Sequence, residues 1–139
     1  SKTIGNEVKL IAAIRNPFDT IATMHKRSRA PIADRIRWYF MHCEALSAIE
    51  EKTPYKNFLF CHHELLVDNP NSEISRIYDA LDLSLDEKHI KNTSQFIFKK
   101  ANKPSKEINW KTKEVKEIVE RMERFSFLKM YLDQAPIDC

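Results

Sequence analysis

The sequence predicts an α/β chain, rich in helix, with a short parallel sheet flanked by helices. Three observations carry that prediction. Two short, nearly continuous apolar runs, "VKLIAAI" at residues 8–14 and "NFLFC" at residues 57–61, have the pattern of strands buried on both faces. The first run turns at Arg15-Asn16-Pro17 straight into a helix start. The remaining apolar residues recur mostly at helical rather than alternating spacing.

The elements follow in order. After the first strand, Asn16 is expected to cap a helix, Pro17 to take its first position and Asp19 to place a carboxylate in its first turn, with the helix running to about Lys26. From about Ala33 to Lys52, Ile36, Tyr39, Phe40, Cys43, Leu46 and Ile49 make one helical face, which Pro54 ends. The second strand is expected to run into a His62-His63-Glu64 turn. Pro70 is then a break, with Asn71 or Ser72 as cap and Ile74, Ile77, Tyr78 and Leu81 as the apolar face of the next helix. A short helix is expected over Leu85–Lys91, a loop through Lys106, and a last helix from about Lys111 to Phe125 that presents Val115, Ile118, Val119 and Met122. Trp38, Trp110, Tyr39, Phe40, Phe125 and Phe127 read most simply as core. Two strands are fewer than a parallel α/β domain usually uses, so the 1–139 chain is expected to be one domain that belongs to a larger one.

Composition narrows the function classes. Hydrophobic residues at 42% and charged residues at 31% describe a globular chain rather than a disordered one. A net charge of +3 gives no argument for a nucleic-acid partner. The basic residues are uneven, however: His25 to Arg29 and Lys99 to Lys106 are local stretches that suit a small anion. No apolar run approaches a membrane span, and no signal peptide is read at the start. The expected compartment is the cytoplasm, or the Golgi lumen if an anchor precedes these residues. Cys43, Cys61 and Cys139 show no CxxC spacing, so free thiols are expected rather than a disulfide framework or a zinc site. Asn92-Thr93-Ser94 matches a glycosylation sequon, which matters only in a secreted chain. A single glycine leaves no GxxxxGK loop, which argues against a kinase-like nucleotide binder.

Three stretches hold the candidate chemistry. Arg15 follows a strand at its carboxyl end, where ligands of open α/β sheets bind. Its guanidinium pairs well with a phosphate, and the amides after Asn16 add a helix-dipole anion site. Thr23, two turns on and on about the same face, offers a hydroxyl. A structural pair between Arg15 and Asp19 remains open on this pattern alone. In "FLFCHHELLVDNP", residues 58–70, adjacent residues at a strand end point to opposite faces and rarely chelate one ion together. No metal is therefore expected there; one histidine should pack or stack in a site, and Glu64 should pair with a basic group. In "NTSQFIFKKANK", residues 92–103, the hydroxyls of Thr93 and Ser94, the rings of Phe96 or Phe98 and the charges of Lys99, Lys100 and Lys103 suit a nucleotide. Taken alone, however, the stretch reads better as an amphipathic turn with Phe96 and Phe98 in the core and a solvated lysine face.

Taken in this order, the stretches resemble the C-terminal half of sulfotransferases that use 3′-phosphoadenosine 5′-phosphosulfate. "RNPFDTIAT" matches the family's strand end Arg-Asn-Pro-x-Asp with a later Ser or Thr, which implies that Arg15 and Thr23 bind the 3′-phosphate. "HHELLVDNPNSEISRIYDALDL" is similar to the next strand end and helix, with His63 where the family usually has an adenine-contacting tyrosine. "TSQF" resembles the adenosine-site Thr-Ser-Phe with Gln95 inserted, which implies roles for Thr93, Ser94 and Phe96. "KPSKEINWK" is loosely similar to the basic loop before a Trp-Lys pair, which implies Lys103 and Lys106. The resemblance implies an incomplete P-loop-like sulfotransferase fold and an enzyme that transfers a sulfuryl group to an acceptor hydroxyl or amine. The family's glycine-containing 5′-phosphosulfate loop and its catalytic base lie upstream of the Arg-Asn-Pro strand. Nothing here matches them, so no catalytic residue is assigned and these residues alone are expected to be inactive. The alternative is a non-catalytic helical interaction or scaffold domain in which Arg15 is structural.

Overall fold

The structure is a computed structural model and describes residues 8–84, 86–97 and 99–136. Strand β1 (Leu10–Ile14) pairs in parallel with β2 (Phe58–His62), in a register that sets Leu10 beside Phe58 and Ile14 beside His62. A parallel pair needs a long crossover, and helices α1 (Pro17–Ser28) and α2 (Ile32–Lys52) provide it. β2 runs directly into α3 (His63–Asp68), followed by α4 (Pro70–Ala80), α5 (Glu87–Ser94) and α6 (Thr112–Met122). Single 3₁₀ segments cover Pro104–Glu107 and Ser126–Gln134. The architecture is α/β in the general sense, with helices around a short two-stranded parallel sheet.

α1 starts as its sequence dictates. The Asn16 Oδ1 accepts from the amides of Phe18 at 2.9 Å and Asp19 at 3.4 Å, and Pro17 sits where no amide needs a partner. The helix ends on Arg29 at φ 57°, a left-handed position, with the Arg29 amide donating to the His25 carbonyl at 2.8 Å. Glycine takes such a position without strain, and here the chain places an arginine in it.

The core lies between α1, α2, α6 and the Ser126–Gln134 segment. Phe18, Ile21, Ile36, Phe40, Ile118 and Tyr131 are among its most buried large side chains. Phe18 meets Trp110 edge-on at 5.4 Å, and Phe40 stacks on Phe125 at 6.2 Å. α6 buries Ile118 and Met122 fully, with Val115 and Val119 half-buried beside them, as the spacing predicts.

Several expectations are corrected. β1 is not buried on both faces: only Ile14 is buried, while Leu10, Ile11 and Ala13 are exposed. The helical core reaches β1 at Ile14, and among the described residues no third strand covers the rest. Trp38 is 49% exposed and Ile49 47%, because both lie outside the α2 face formed by Ile36, Phe40 and Cys43. Pro70 opens α4 rather than breaking the chain; Asn69 precedes it, and neither Asn71 nor Ser72 is the cap. Of the expected α4 face only Ile74 is buried, with Ile77, Tyr78 and Leu81 half-buried. The His62-His63-Glu64 turn is the entry to α3. The last helix ends at Met122, and the tighter segment after Phe125 brings Phe125, Leu128 and Tyr131, three residues apart, onto the core together. Helix α5 lies two or three residues later than expected; Leu85, Phe98 and Cys139 lie outside the described residues. Cys43 and Cys61 are free and buried.

Candidate functional site

The site is built where the parallel strands end. Ile14 and His62 are the last register pair, so Arg15 and His63 follow side by side at the carboxyl edge. The corner between β1 and α1 is held from three directions. Glu64 Oε1 accepts from the Asn16 amide at 3.0 Å, its Oε2 accepts from the Tyr131 hydroxyl at 2.6 Å, and Asn16 Nδ2 donates to Gln134 Oε1 at 3.1 Å. Among the described residues Glu64 does not make the pair with a basic group that the sequence predicts; it ties the two strand ends to the C-terminal segment.

Arg15 does not pair with Asp19 either. Its Nη2 donates to the Asn102 carbonyl, while Asp19 Oδ1 accepts from the Ser105 amide at 3.0 Å. The buried Nε of Arg15 has no hydrogen-bond partner among the described residues. A buried guanidinium N–H is rarely left so, and an anion beside it would satisfy it.

Arg15 opens into a cavity of about 430 Å³ between α1 and α2. On α1, Thr20, Thr23 and Arg27 fall three and four residues apart and line it as one face; Tyr39 and His42 approach from α2. No carboxylate is among the described lining residues, where two arginines set the sign of the field. Burial pushes the Cys43 thiol up to about 11 and raises the Tyr39 hydroxyl as well, so these two groups are uncharged at neutral pH. The Thr20 and Thr23 hydroxyls donate to the carbonyls of Asn16 at 3.1 Å and Asp19 at 2.8 Å.

The structure brings Arg15 and Thr23 into one cavity, but not the other candidates. His63 is half-buried beside the strand ends and lines no part of that cavity. The packed histidine is His62, with Nε2 at 3.0 Å from the Phe127 carbonyl and its ring against Tyr131 at 5.9 Å. Thr93 and Ser94 are half-buried at the end of α5, and Phe96 is 87% exposed, a surface ring rather than a core one. Lys103 is exposed and lines two adjoining cavities of about 280 and 260 Å³ with Asp19 and Gln134. The Asn102 carbonyl bond links that segment to Arg15. Sequence reasoning missed Tyr39 and His42, which only the α1–α2 packing brings in. Arg27 was legible, at seven residues from Thr20 on the same helical face.

A larger cavity, of about 530 Å³, lies between the end of α2, β2 and α4. Its arginine, Arg76, is already committed to Glu73 at 2.6 Å and to the Phe60 carbonyl at 2.8 Å, which leaves the Arg15 cavity better suited to an anion. Among the described residues no three His, Cys, Asp or Glu side chains gather as a metal site. No described helix is long and apolar enough to cross a membrane.

Fold and site together define a helix-rich α/β chain with an arginine-bearing cavity, lined by no carboxylate among the described residues, at the carboxyl end of a parallel strand. No protein-family model, curated protein or solved structure matches it.

Proposed function

We propose that this chain holds the nucleotide in a sulfotransferase of P-loop-like fold. The donor is 3′-phosphoadenosine 5′-phosphosulfate and the acceptor a hydroxyl or amine. Arg15 and Thr23 take the 3′-phosphate, with His63, Thr93, Ser94, Phe96 and Lys103 toward the adenosine and phosphate periphery. The observation that carries this reading is the orphaned Arg15 Nε beside a cavity that also holds Thr23 and, among the described residues, no carboxylate. Thr23 reaches an anion by exchanging its bond to the Asp19 carbonyl for a charge-assisted one. In such a transfer the protein chiefly positions donor and acceptor. Binding energy at the remote 3′-phosphate fixes the reacting sulfur without touching it.

Calorimetric titration with adenosine 3′,5′-bisphosphate, and with adenosine 5′-monophosphate as control, tests the reading. The bisphosphate should bind more tightly, and Arg15→Ala should remove that preference with a loss of about 10- to 100-fold. Equal affinity for both nucleotides, or a preference that survives Arg15→Ala, refutes it. The bond from Arg15 to the Asn102 carbonyl favours a second reading, a non-catalytic scaffold domain with Arg15 structural. In that case neither nucleotide binds and Arg15→Ala lowers only stability.

A further inference from the structure

We propose that the solvent face of α2 pairs antiparallel with the same helix of a second copy of this chain. The inference is independent of the nucleotide reading. α2 spans 21 residues and gives one face to the core. The middle of its opposite face, between Asp34 and Lys52, is apolar. Trp38, Met41, Ala45 and Ala48 recur there at spacings of three, four and three, the pattern of a helix-pairing seam; Trp38 is 49% and Met41 51% exposed, and both alanines are exposed. Ile49, 47% exposed, borders the seam. Trp38 is already ordered: the Arg35 guanidinium lies 5.5 Å from its ring centroid and the His42 ring 5.6 Å, so docking freezes little further motion.

Two features select the occupant and its direction. The first is size. The bulky residues occupy the N-terminal half of the seam and the alanines its C-terminal half. A parallel copy sets Trp38 against Trp38 and alanine against alanine. An antiparallel copy sets Trp38 over Ala48 and Met41 over Ala45, bulk into hollow in every layer, and repeats the contact by two-fold symmetry. The second is charge. Arg37, Glu44 and Glu51 flank the seam at seven-residue intervals. The antiparallel arrangement brings Arg37 of each copy beside Glu51 of the other. The Arg37 side chain is 75% exposed, and its same-helix ion pair with Asp34, at 3.6 Å, is long and solvated, so exchanging it for a partner across the seam costs little. Glu44 falls near the two-fold axis, where Arg124 at 4.0 Å offsets its charge. A single helix pair is a small interface, so the dimer is weak, with a dissociation constant on the order of 10–100 μM.

Sedimentation equilibrium of the chain from about 5 to about 500 μM tests this, with circular dichroism confirming that each variant folds. The wild-type chain should move from monomer to dimer across that range. Met41→Glu, at an exposed position, should leave it monomeric throughout. Arg37→Glu should weaken the dimer about tenfold, and Arg37→Glu combined with Glu51→Arg should restore it. A chain that stays monomeric at every concentration overturns the proposal. So does a dimer indifferent to Met41→Glu, or a loss in Arg37→Glu that the charge swap does not recover.

Discussion

The corner that presents Arg15 hangs on Glu64, and that dependence is measurable. Its carboxylate accepts from the Asn16 amide at 3.0 Å and from the Tyr131 hydroxyl at 2.6 Å. Tyr131 is fully buried and Asn16 is 6% exposed, so neither donor finds water easily if the carboxylate is removed. A hydrogen bond to a charged group contributes about 1.5–3 kcal/mol. Tyr131→Phe removes one such bond, while the half-buried Glu64 regains some solvation, so the loss should be about 1.5 kcal/mol. Glu64→Ala strands both donors, and the loss should be about 3–5 kcal/mol. Once Glu64 is gone the Tyr131 hydroxyl has lost its acceptor, so the double variant should be little worse than Glu64→Ala, with a coupling of about 1.5 kcal/mol. Urea unfolding followed by tryptophan fluorescence reads all three, since Trp110 is buried in the core. Additive losses, or a Tyr131→Phe chain within about 0.3 kcal/mol of wild type, would refute the reasoning.

Further predictions concern a helix end and the buried acids. Arg29→Gly should stabilise the chain by about 1 kcal/mol, because glycine relieves the left-handed backbone at φ 57° that ends α1; thermal unfolding that shows no gain counts against strain there. Burial raises Cys43 from 9.0 to about 11 and pushes the Tyr39 and Tyr131 hydroxyls up as well. The folded chain thus holds these protons to higher pH than the unfolded chain, so stability should be undiminished by them below about pH 9 and fall as pH climbs through 11. Urea midpoints across that range check the sign. The same burial should keep Cys43 nearly inert to iodoacetamide at pH 8 in the folded chain, and rapid labelling there would show that its thiol is not held protonated.

Much of the local structure was legible because local chemistry decides it. The Asn16 cap with Pro17, the long α2 and the two apolar strands all follow from residues within a few positions of each other. The same holds for the spacing that puts Thr20, Thr23 and Arg27 on one face. Trp38 was misread for a physical reason: α2 carries apolar residues on two sides, and spacing alone does not say which side meets the core. The extent of the last helix was misread because Phe125, Leu128 and Tyr131 satisfy a three-residue period as well as a helical one, and packing chose the tighter form.

By itself the sequence determined that a parallel α/β unit would put an arginine and a capped helix at the carboxyl end of its first strand. Only the tertiary structure decided what those groups face. Asp19 goes to the Ser105 amide rather than to Arg15, and Glu64 goes to Asn16 and Tyr131 rather than to a base. Tyr39 and His42 join the Arg15 cavity from the next helix, more than twenty residues along the chain. Such partners are chosen by how burial satisfies donors and acceptors across elements, and that competition has no signature in local spacing.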